Sequence, residues 1–172
     1  MTDLQVRTAT AEDAAALLAL QADPLYNSKR AFVELIDLTL QHFPFLVAER
    51  DGCVVGSAYA TVHRSRLALR WSVDAWVQAP GQPCEVAQAL YHSLTRHLME
   101  QGFMAIYAAV QVGDCASIAL HQRLGFAPIG VHQGIDLQRD AEYWCLTLAT
   151  PGVREEPVPF NALRQRLPQC GR

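Results

Sequence analysis

The sequence predicts a single α/β domain built on a mixed, mostly antiparallel sheet, and three observations lead to this fold class. Asp51-Gly52 separates two apolar runs, which is the strongest short signal for a β-hairpin. Residues 103–112 (FMAIYAAVQV) are nearly all apolar, as expected of a central strand covered on both faces. Four apolar residues recur at four-residue spacing, as on the buried face of a helix: Val86, Leu90, Leu94 and Leu98.

The first part of the chain predicts one strand followed by two helices. Residues 4–8 alternate in polarity and predict a short strand. Thr10 is a suitable N-cap, and Asp13 three residues later approximates a capping box. Pro24 ends this first helix, and a second helix is expected from residue 28 to about residue 42.

The remaining elements follow from turn residues and apolar runs. Residues 44–50, 53–64 and 67–78 predict three consecutive antiparallel strands, after which Gly102 ends the helix with four-residue spacing. Asp114 caps the next helix, which stops at the glycine of LGF. Two last strands are expected, at about residues 129–137 and 142–148. The predicted domain spans residues 1–150, and residues 151–172, with four prolines, form a C-terminal extension.

The composition is that of a soluble globular domain, and it narrows the class of partner. Apolar residues make up 51% of the 172 residues, and 14 basic against 17 acidic residues give a net charge of −3. We therefore expect no nucleic-acid partner. No apolar run is long enough for a membrane span and the N-terminus has no secretory pattern. The five cysteines never form a C-x-x-C pair and the six histidines have no metal-ligand spacing, so reduced thiols, no metal site and a cytoplasmic location are expected.

Several segments resemble the GNAT superfamily of N-acetyltransferases. SIALHQRLGF, residues 117–126, is similar to the Asn-capped helix that forms one signature of that superfamily. YATVHRSRLALRW with the following SVD, and GIDLQRDAEYWCLTL, are similar to strands of its phosphinothricin and methionine-sulfoximine acetyltransferase branch. With FPFLVAERDGCVVGSAYA, the resemblance covers nearly all of residues 4–149.

This resemblance implies a fold and an activity. The GNAT fold has a mixed, mostly antiparallel sheet of about seven strands flanked by four helices, with the fourth and fifth strands splayed apart. The implied activity is transfer of acetyl from acetyl-CoA to a small primary amine, such as an amino acid or analogue, directly in a ternary complex. A homodimer without nucleic-acid or membrane partners is expected. The alternative is a non-catalytic domain of the same fold that binds a ligand or a partner.

The resemblance also implies where acetyl-CoA binds. The pantetheine arm would pair with the backbone of Trp76, Val77 and Gln78, in the gap between the splayed strands. The pyrophosphate would lie on the amides that open the following helix, where the helix dipole is positive. The family loop Q/R-x-x-G-x-G/A and the residue after it correspond to Gln82, Pro83, Cys84, Glu85, Val86, Ala87 and Gln88. Asp114 and Ser117, at the start of the next helix, complete this set. The thiol of Cys84 is expected to have no role as a nucleophile.

Two acidic residues depart from the family pattern. Glu85 replaces the first glycine of the loop, and a carboxylate about 5 Å from a phosphate charge costs roughly 3 kcal/mol at an effective dielectric near 20. Its side chain can instead turn outward, and a glutamate in a first helical turn stabilises the helix. Asp114 replaces the asparagine of the signature. It caps a helix equally well but adds a second negative charge.

The expected catalytic and substrate-binding residues rest on the same resemblance. Asp74 corresponds to the general-base glutamate of the branch, and being shorter it would accept a proton through a water; its alternative role is a bond to a neighbouring amide. His121 corresponds to the general acid, and its alternative is a packed, non-catalytic histidine. Arg66, with Arg64 beside it, belongs to the loop that borders the substrate in the branch. There a guanidinium can bind a carboxylate, whereas the alternative is a solvated loop arginine.

Overall fold

Seven strands form one sheet in the computed structural model, which describes residues 4–20, 43–62, 72–132 and 141–148. The sheet order is β1-β2-β3-β4-β5-β7-β6, and each neighbouring pair is antiparallel except β4 and β5. The predicted mixed, mostly antiparallel sheet of about seven strands is confirmed. The strands are β1 (Leu4–Thr8), β2 (Phe45–Arg50), β3 (Cys53–Val62), β4 (Ser72–Gln78), β5 (Ala105–Gln111), β6 (Ala127–His132) and β7 (Ala141–Thr147).

Three α-helices accompany the sheet within the described residues. They are α1 (Ala14–Leu20), which a 3-10 turn precedes, α2 (Cys84–Glu100) and α3 (Cys115–Arg123). The sequence predicts four helices, and the one expected over residues 28–42 lies outside the described residues, as does the extension of residues 151–172. Among the described helices, none combines the length and the apolar character that crossing a membrane requires.

The hairpin between β2 and β3 has the predicted tight turn. Asp51 and Gly52 both have positive φ, 53° and 76°, which is the backbone of a type I′ turn and suits the twist of the two strands. A bulge then shifts the register of the pair between Ala48 and Glu49. Because side chains alternate along a strand, β2 presents Ala48 and Arg50 to one face of the sheet and Val47 and Glu49 to the other.

Each face of the sheet packs against a different helix. The four residues that predict the helix face of α2 are all fully buried, and they contact core side chains of β2 to β5 such as Leu46, Ala58, Val73 and Ile106. On the other face, Leu17 of α1 packs with side chains of β2 and β3. This arrangement fixes α2 along the sheet, so that its first turn lies where β4 ends.

Two strand predictions need correction. β5 is covered on both faces only in its first half, because Ala109 and Gln111 are exposed where β4 no longer runs beside them. β6 begins at Ala127, two residues before the predicted start, since the helix that precedes it ends promptly at Gly125, with a φ of 86°. Continuation of β6 past residue 132 lies outside the described residues.

A buried carboxylate secures the start of the chain. Asp13 is only 6% exposed and accepts two hydrogen bonds of 2.8 Å from the Arg7 guanidinium. Arg7 also pairs with Glu49 of β2 at 2.9 Å. Asp13 further accepts the backbone N–H and the hydroxyl of Thr10, which confirms the predicted capping contact. The bonds from Arg7 are the main reason that the pKa of Asp13 is lowered.

We expect Asp13→Ala to lower the free energy of unfolding by about 2 kcal/mol, because a buried acceptor of charged and capping hydrogen bonds is lost. The loss stays below the 3–5 kcal/mol of a fully buried pair, since Arg7 keeps Glu49 and partial access to solvent. Urea unfolding at neutral pH measures this difference, with Glu12→Ala, an exposed neighbour, as the control.

The contribution of Asp13 also has a defined pH dependence. A carboxylate whose pKa is lowered by folding stabilises the native state above its unfolded pKa of about 3.9, and this stabilisation is lost as the pH falls through the folded value. The difference between the wild type and Asp13→Ala should therefore be constant near neutrality and shrink below about pH 4. A difference that persists undiminished in acid would contradict this account.

Candidate functional site

The gap between β4 and β5 is the central feature of the site. The two strands pair in only three positions, Ser72 with Ala105, Val73 with Ile106 and Asp74 with Tyr107. Beyond these, residues 75–78 of β4 keep register only with β3, and residues 108–111 of β5 pair with β7. The expected splay between the fourth and fifth strands is therefore confirmed.

The start of α2 faces this gap with few free amides. Pro83 is the N-cap and has no N–H, while the N–H of Val86 donates to the Pro83 carbonyl at 3.0 Å. The Gln82 N–H donates to the Ala79 carbonyl at 3.2 Å. Cys84 and Glu85 occupy the first two helical positions, whose N–H groups have no acceptor within a helix. Amides at a helix start and the positive end of the helix dipole favour a nearby anion.

A glycine in β3 allows α2 to approach the end of β4. A Cβ atom on Gly56 would lie 2.9 Å from the Gln78 carbonyl oxygen and 3.0 Å from a methyl group of Leu90. Because the nearer atom is backbone, a side chain here would displace the end of β4. Gly56 therefore helps to set the position of the gap.

An open cleft of about 560 Å³ lies between the start of α2 and one face of α3. Arg123 crosses it, with Nη2 donating to the Sγ of Cys84 at 2.7 Å. The other side chains that line the cleft are Ala116, Ala119 and Gln122. The cleft is thus lined by small or polar groups with one cation, and a positive charge in a cleft attracts anions.

Glu85 forms an ion pair with a residue outside the loop. Its carboxylate lies 3.5 Å from the guanidinium of Arg50, and 67% of its side chain is exposed. The same guanidinium donates to the Gln82 side-chain oxygen at 3.4 Å. Of the two orientations that the sequence leaves open for Glu85, the structure has the outward one.

Asp114 and Ser117 bond to each other at the start of α3. The Asp114 carboxylate accepts the Ser117 N–H at 3.1 Å and the Ser117 hydroxyl at 2.6 Å. These bonds lower the pKa of Asp114. The predicted cap is confirmed, and both oxygens of the carboxylate are engaged within the helix end.

The other residues expected to bind acetyl-CoA lie along the gap with different exposure. Trp76 is exposed and stacks on Tyr59, with ring centroids 6.4 Å apart. The side chain of Val86 is fully buried in the core between α2 and the sheet, so it is not available to a ligand. The half-buried members are Val77, Gln78, Gln82, Ala87 and Gln88.

Asp74 stands at the last paired position before the splay. Its neighbours Val73 and Ala75 are buried on the α2 face, so Asp74, which is half-buried, belongs to the opposite face. Tyr107 of β5 lies across from it in the register. Burial is the main reason that the pKa of the Tyr107 hydroxyl is raised, Cys145 adds to it, and the negative charge of Asp74 makes the smallest contribution. Tyr107 therefore stays protonated beside the carboxylate.

His121 is buried, with both ring nitrogens engaged. Nδ1 lies 2.7 Å from the Ser117 carbonyl oxygen, which can only accept, and Nε2 lies 2.8 Å from the Tyr91 hydroxyl. The ring also packs edge-on against Phe126, at 5.0 Å between centroids. Burial lowers the pKa of His121, so the neutral ring donates from Nδ1 and accepts at Nε2. This placement matches the packed-histidine alternative and gives no support to a role as general acid.

Arg64 and Arg66 lie outside the described residues. β3 ends at Val62, whose register partner Val73 precedes Asp74, so the chain leaves β3 close to that carboxylate. In the described ranges, no three His, Cys, Asp or Glu side chains come together as metal ligands.

Sequence reasoning missed four side chains that shape this site: Arg50, Tyr91, Tyr107 and Arg123. Only Arg123 had a usable signal, because it lies seven residues after Ala116 and so falls on the same helix face. The contact of Arg50 with α2 joins elements 35 residues apart in sequence, and no local pattern indicates it.

We expect the imidazole of His121 to titrate below the ordinary value of about 6.5, because it is buried and neutral in the fold. Folding then loses stability as the pH falls below about 6.5, by no more than about 1.4 kcal/mol per pH unit, since the unfolded state binds the proton more tightly. Proton NMR gives the midpoint directly. A His121 midpoint above 6.5 would contradict the assignment.

Comparison with known proteins agrees with this geometry. A family model described as the acetyltransferase (GNAT) family matches residues 12–126. Phosphinothricin N-acetyltransferase of Streptomyces viridochromogenes is 28% identical over 139 residues, which cover 74% of this chain and 76% of that protein. The protein of the same name from Alcaligenes faecalis is 35% identical over 97 residues, 54% of this chain and 48% of its own length.

A solved structure shows the same fold. The phosphinothricin acetyltransferase of Sinorhizobium meliloti, in complex with AcCoA, superimposes with a TM-score of 0.74 over 87% of this chain and 95% of that chain, at 24% identity. The family model spans the first helix, the splayed strands and α3, which are the elements that build the site. The chain belongs to the acetyltransferase (GNAT) family.

Proposed function

We propose that the protein is an acetyl-CoA-dependent N-acetyltransferase that acetylates a small primary amine, such as an amino acid or an analogue. The observation that carries the proposal is the gap between β4 and β5, with the start of α2 at its open end. Backbone groups of residues 76–78 face a gap that no strand of the described residues fills, and a pantetheine arm has the amides needed to pair with them. The relatives named phosphinothricin N-acetyltransferase support an amino-acid-like acceptor.

The fit of the pyrophosphate rests on the first turn of α2 and its surroundings. The N–H groups of Cys84 and Glu85 supply donors with the helix dipole behind them, and Arg123 brings a cation to the same cleft. The two acidic residues that depart from the family pattern interact with other groups of the chain. Glu85 pairs with Arg50, and Asp114 caps α3. A non-catalytic domain, the alternative that rested on these two residues, is therefore the weaker proposal.

The proposed chemistry is a direct transfer that needs one base. The amine nitrogen attacks the thioester carbonyl, the new C–N bond forms and the C–S bond breaks. Asp74, at the mouth of the gap, accepts the amine proton through a water, because a carboxylate placed beside the reacting groups can act as a general base. The departing thiolate takes a proton from solvent, since a thiol with a pKa of about 8.5 holds its proton at neutral pH. No covalent enzyme intermediate is required.

The acceptor would lie on the face of the sheet opposite α2. Trp76 and Tyr59 stack there beside Asp74, and offer an apolar wall to the carbon chain of a small amine. Arg64 and Arg66 are proposed, by resemblance, to bind a carboxylate of the acceptor, and β3 ends at Val62, one residue past Thr61, the register partner of Asp74. A homodimer is proposed by resemblance alone.

The proposed function is tested by measuring both acetyl-CoA binding and acetyl transfer. Calorimetric titration with acetyl-CoA should give saturable binding, and acetylation of a panel of amino acids and amine analogues should identify the acceptor. Asp74→Asn should lower kcat by about 10²- to 10⁴-fold, the range expected for loss of a general base, and leave the Kd for acetyl-CoA nearly unchanged. The lost rate should recover in part at high pH, where the amine loses its proton without help.

Asp51→Asn is the matched control, since it makes the same chemical change in the hairpin turn, where asparagine tolerates positive φ. It should keep full activity. Absence of acetyl-CoA binding by the wild type would overturn the proposed function. Full activity of Asp74→Asn with a normal pH profile would instead remove only the role of Asp74.

A further inference from the structure

Arg50 is a partly buried cation held beside the proposed coenzyme loop. Arg50 is the last residue of β2. Because side chains alternate along a strand, its side chain lies on the face of the sheet that packs against α2. Its side chain is 19% exposed. In the described part of the chain, the buried Nε atom has no hydrogen-bond acceptor. A cation with a buried, unsatisfied donor is costly to keep, so its presence on this face calls for a reason.

The two contacts of this guanidinium both lead to the loop. One terminal nitrogen donates to the side-chain oxygen of Gln82 at 3.4 Å, and the other lies 3.5 Å from the carboxylate of Glu85. These residues are the first and fourth of the six that correspond to the family loop. Arg50 therefore acts on the two polar side chains of that loop at the same time.

The net charge beside the first turn of α2 affects how well an anion can bind there. Glu85 alone would add one negative charge within the first turn of α2, next to the amides that face the ligand. Paired with Arg50, the two side chains have no net charge, and the carboxylate is drawn toward β2. The first-turn amides and the helix dipole then act on the ligand without an opposing charge.

We propose that Arg50 is a positioning residue for coenzyme binding, which holds Glu85 aside and cancels its charge so that a loop without its first glycine still accepts a pyrophosphate. This inference rests on the proposed function and adds to it a residue outside the loop. The loop can then tolerate an acidic side chain at the glycine position only while a cation occupies position 50. Arg50 touches no reacting atom in this proposal and acts through Glu85.

A double-mutant cycle tests the coupling between the two side chains. Acetyl-CoA is titrated calorimetrically into the wild type, Arg50→Gln, Glu85→Gln and the double variant. Arg50→Gln should weaken binding by about 10- to 100-fold, because it leaves the Glu85 charge beside the ligand. Glu85→Gln should bind within about threefold of the wild type, and in that background Arg50→Gln should cause little further loss. The loss in Arg50→Gln should be smaller at high salt.

Two further variants separate positioning from general effects. Arg96→Gln removes an exposed cation from the middle of α2 and should change binding less than about twofold. Arg50→Lys keeps the charge and should recover most of the affinity. In steady-state assays Arg50→Gln should raise KM for acetyl-CoA while kcat at saturation stays unchanged, as expected when only binding is affected.

The other outcomes overturn the inference in distinguishable ways. Equal losses from Arg50→Gln with and without Glu85 would mean that Arg50 contacts the ligand itself. No loss in Arg50→Gln would mean that the pair is only a surface contact. A wild type that binds no acetyl-CoA would refute the proposed function and this inference with it, whereas normal wild-type binding with either of the first two results would refute the inference alone.

Discussion

The structure depends on one constraint: two neighbouring parallel strands that diverge can no longer hydrogen-bond to each other. β4 and β5 share three register positions and then separate, so within the described ranges the backbone of residues 75–78 pairs with a strand on one side only. Backbone donors and acceptors left in this way need another partner. The sheet thereby creates a slot that an extended ligand with amide groups can fill as a strand would.

The rest of the fold keeps this slot open from both sides. α2 is fixed by four fully buried side chains, and Gly56 lets it lie close to the end of β4. β5 loses its contact with β4 but gains a full-length partner in β7, which holds it apart. The same divergence exposes Ala109 and Gln111 of β5, although its sequence alone predicts burial on both faces.

The parts of the molecule that follow from local chemistry could be predicted from the sequence. The type I′ turn at Asp51-Gly52, the caps at Thr10 and Asp114 and the buried face of α2 each depend on residues within one turn or one helix. The role of His121 could not be predicted, because its neutral state results from burial in the folded chain, and the Tyr91 hydroxyl that it bonds is 30 residues away. The orientation of Glu85 could not be predicted either, since its partner Arg50 is the last residue of β2, 35 residues earlier in the sequence.

Glu85 illustrates how a residue that breaks a family pattern can be compatible with the family's chemistry. What the pyrophosphate responds to is the local field at the start of α2 and the number of free amides, and a glycine is only one way to provide both. Here Cys84 and Glu85 occupy the first two positions of α2, while a cation from β2 balances the added carboxylate. The loop sequence alone indicates a weakened anion site. In the folded chain, however, the guanidinium of Arg50 balances the charge of Glu85. The proposed coenzyme site therefore includes the loop and Arg50 at the end of β2.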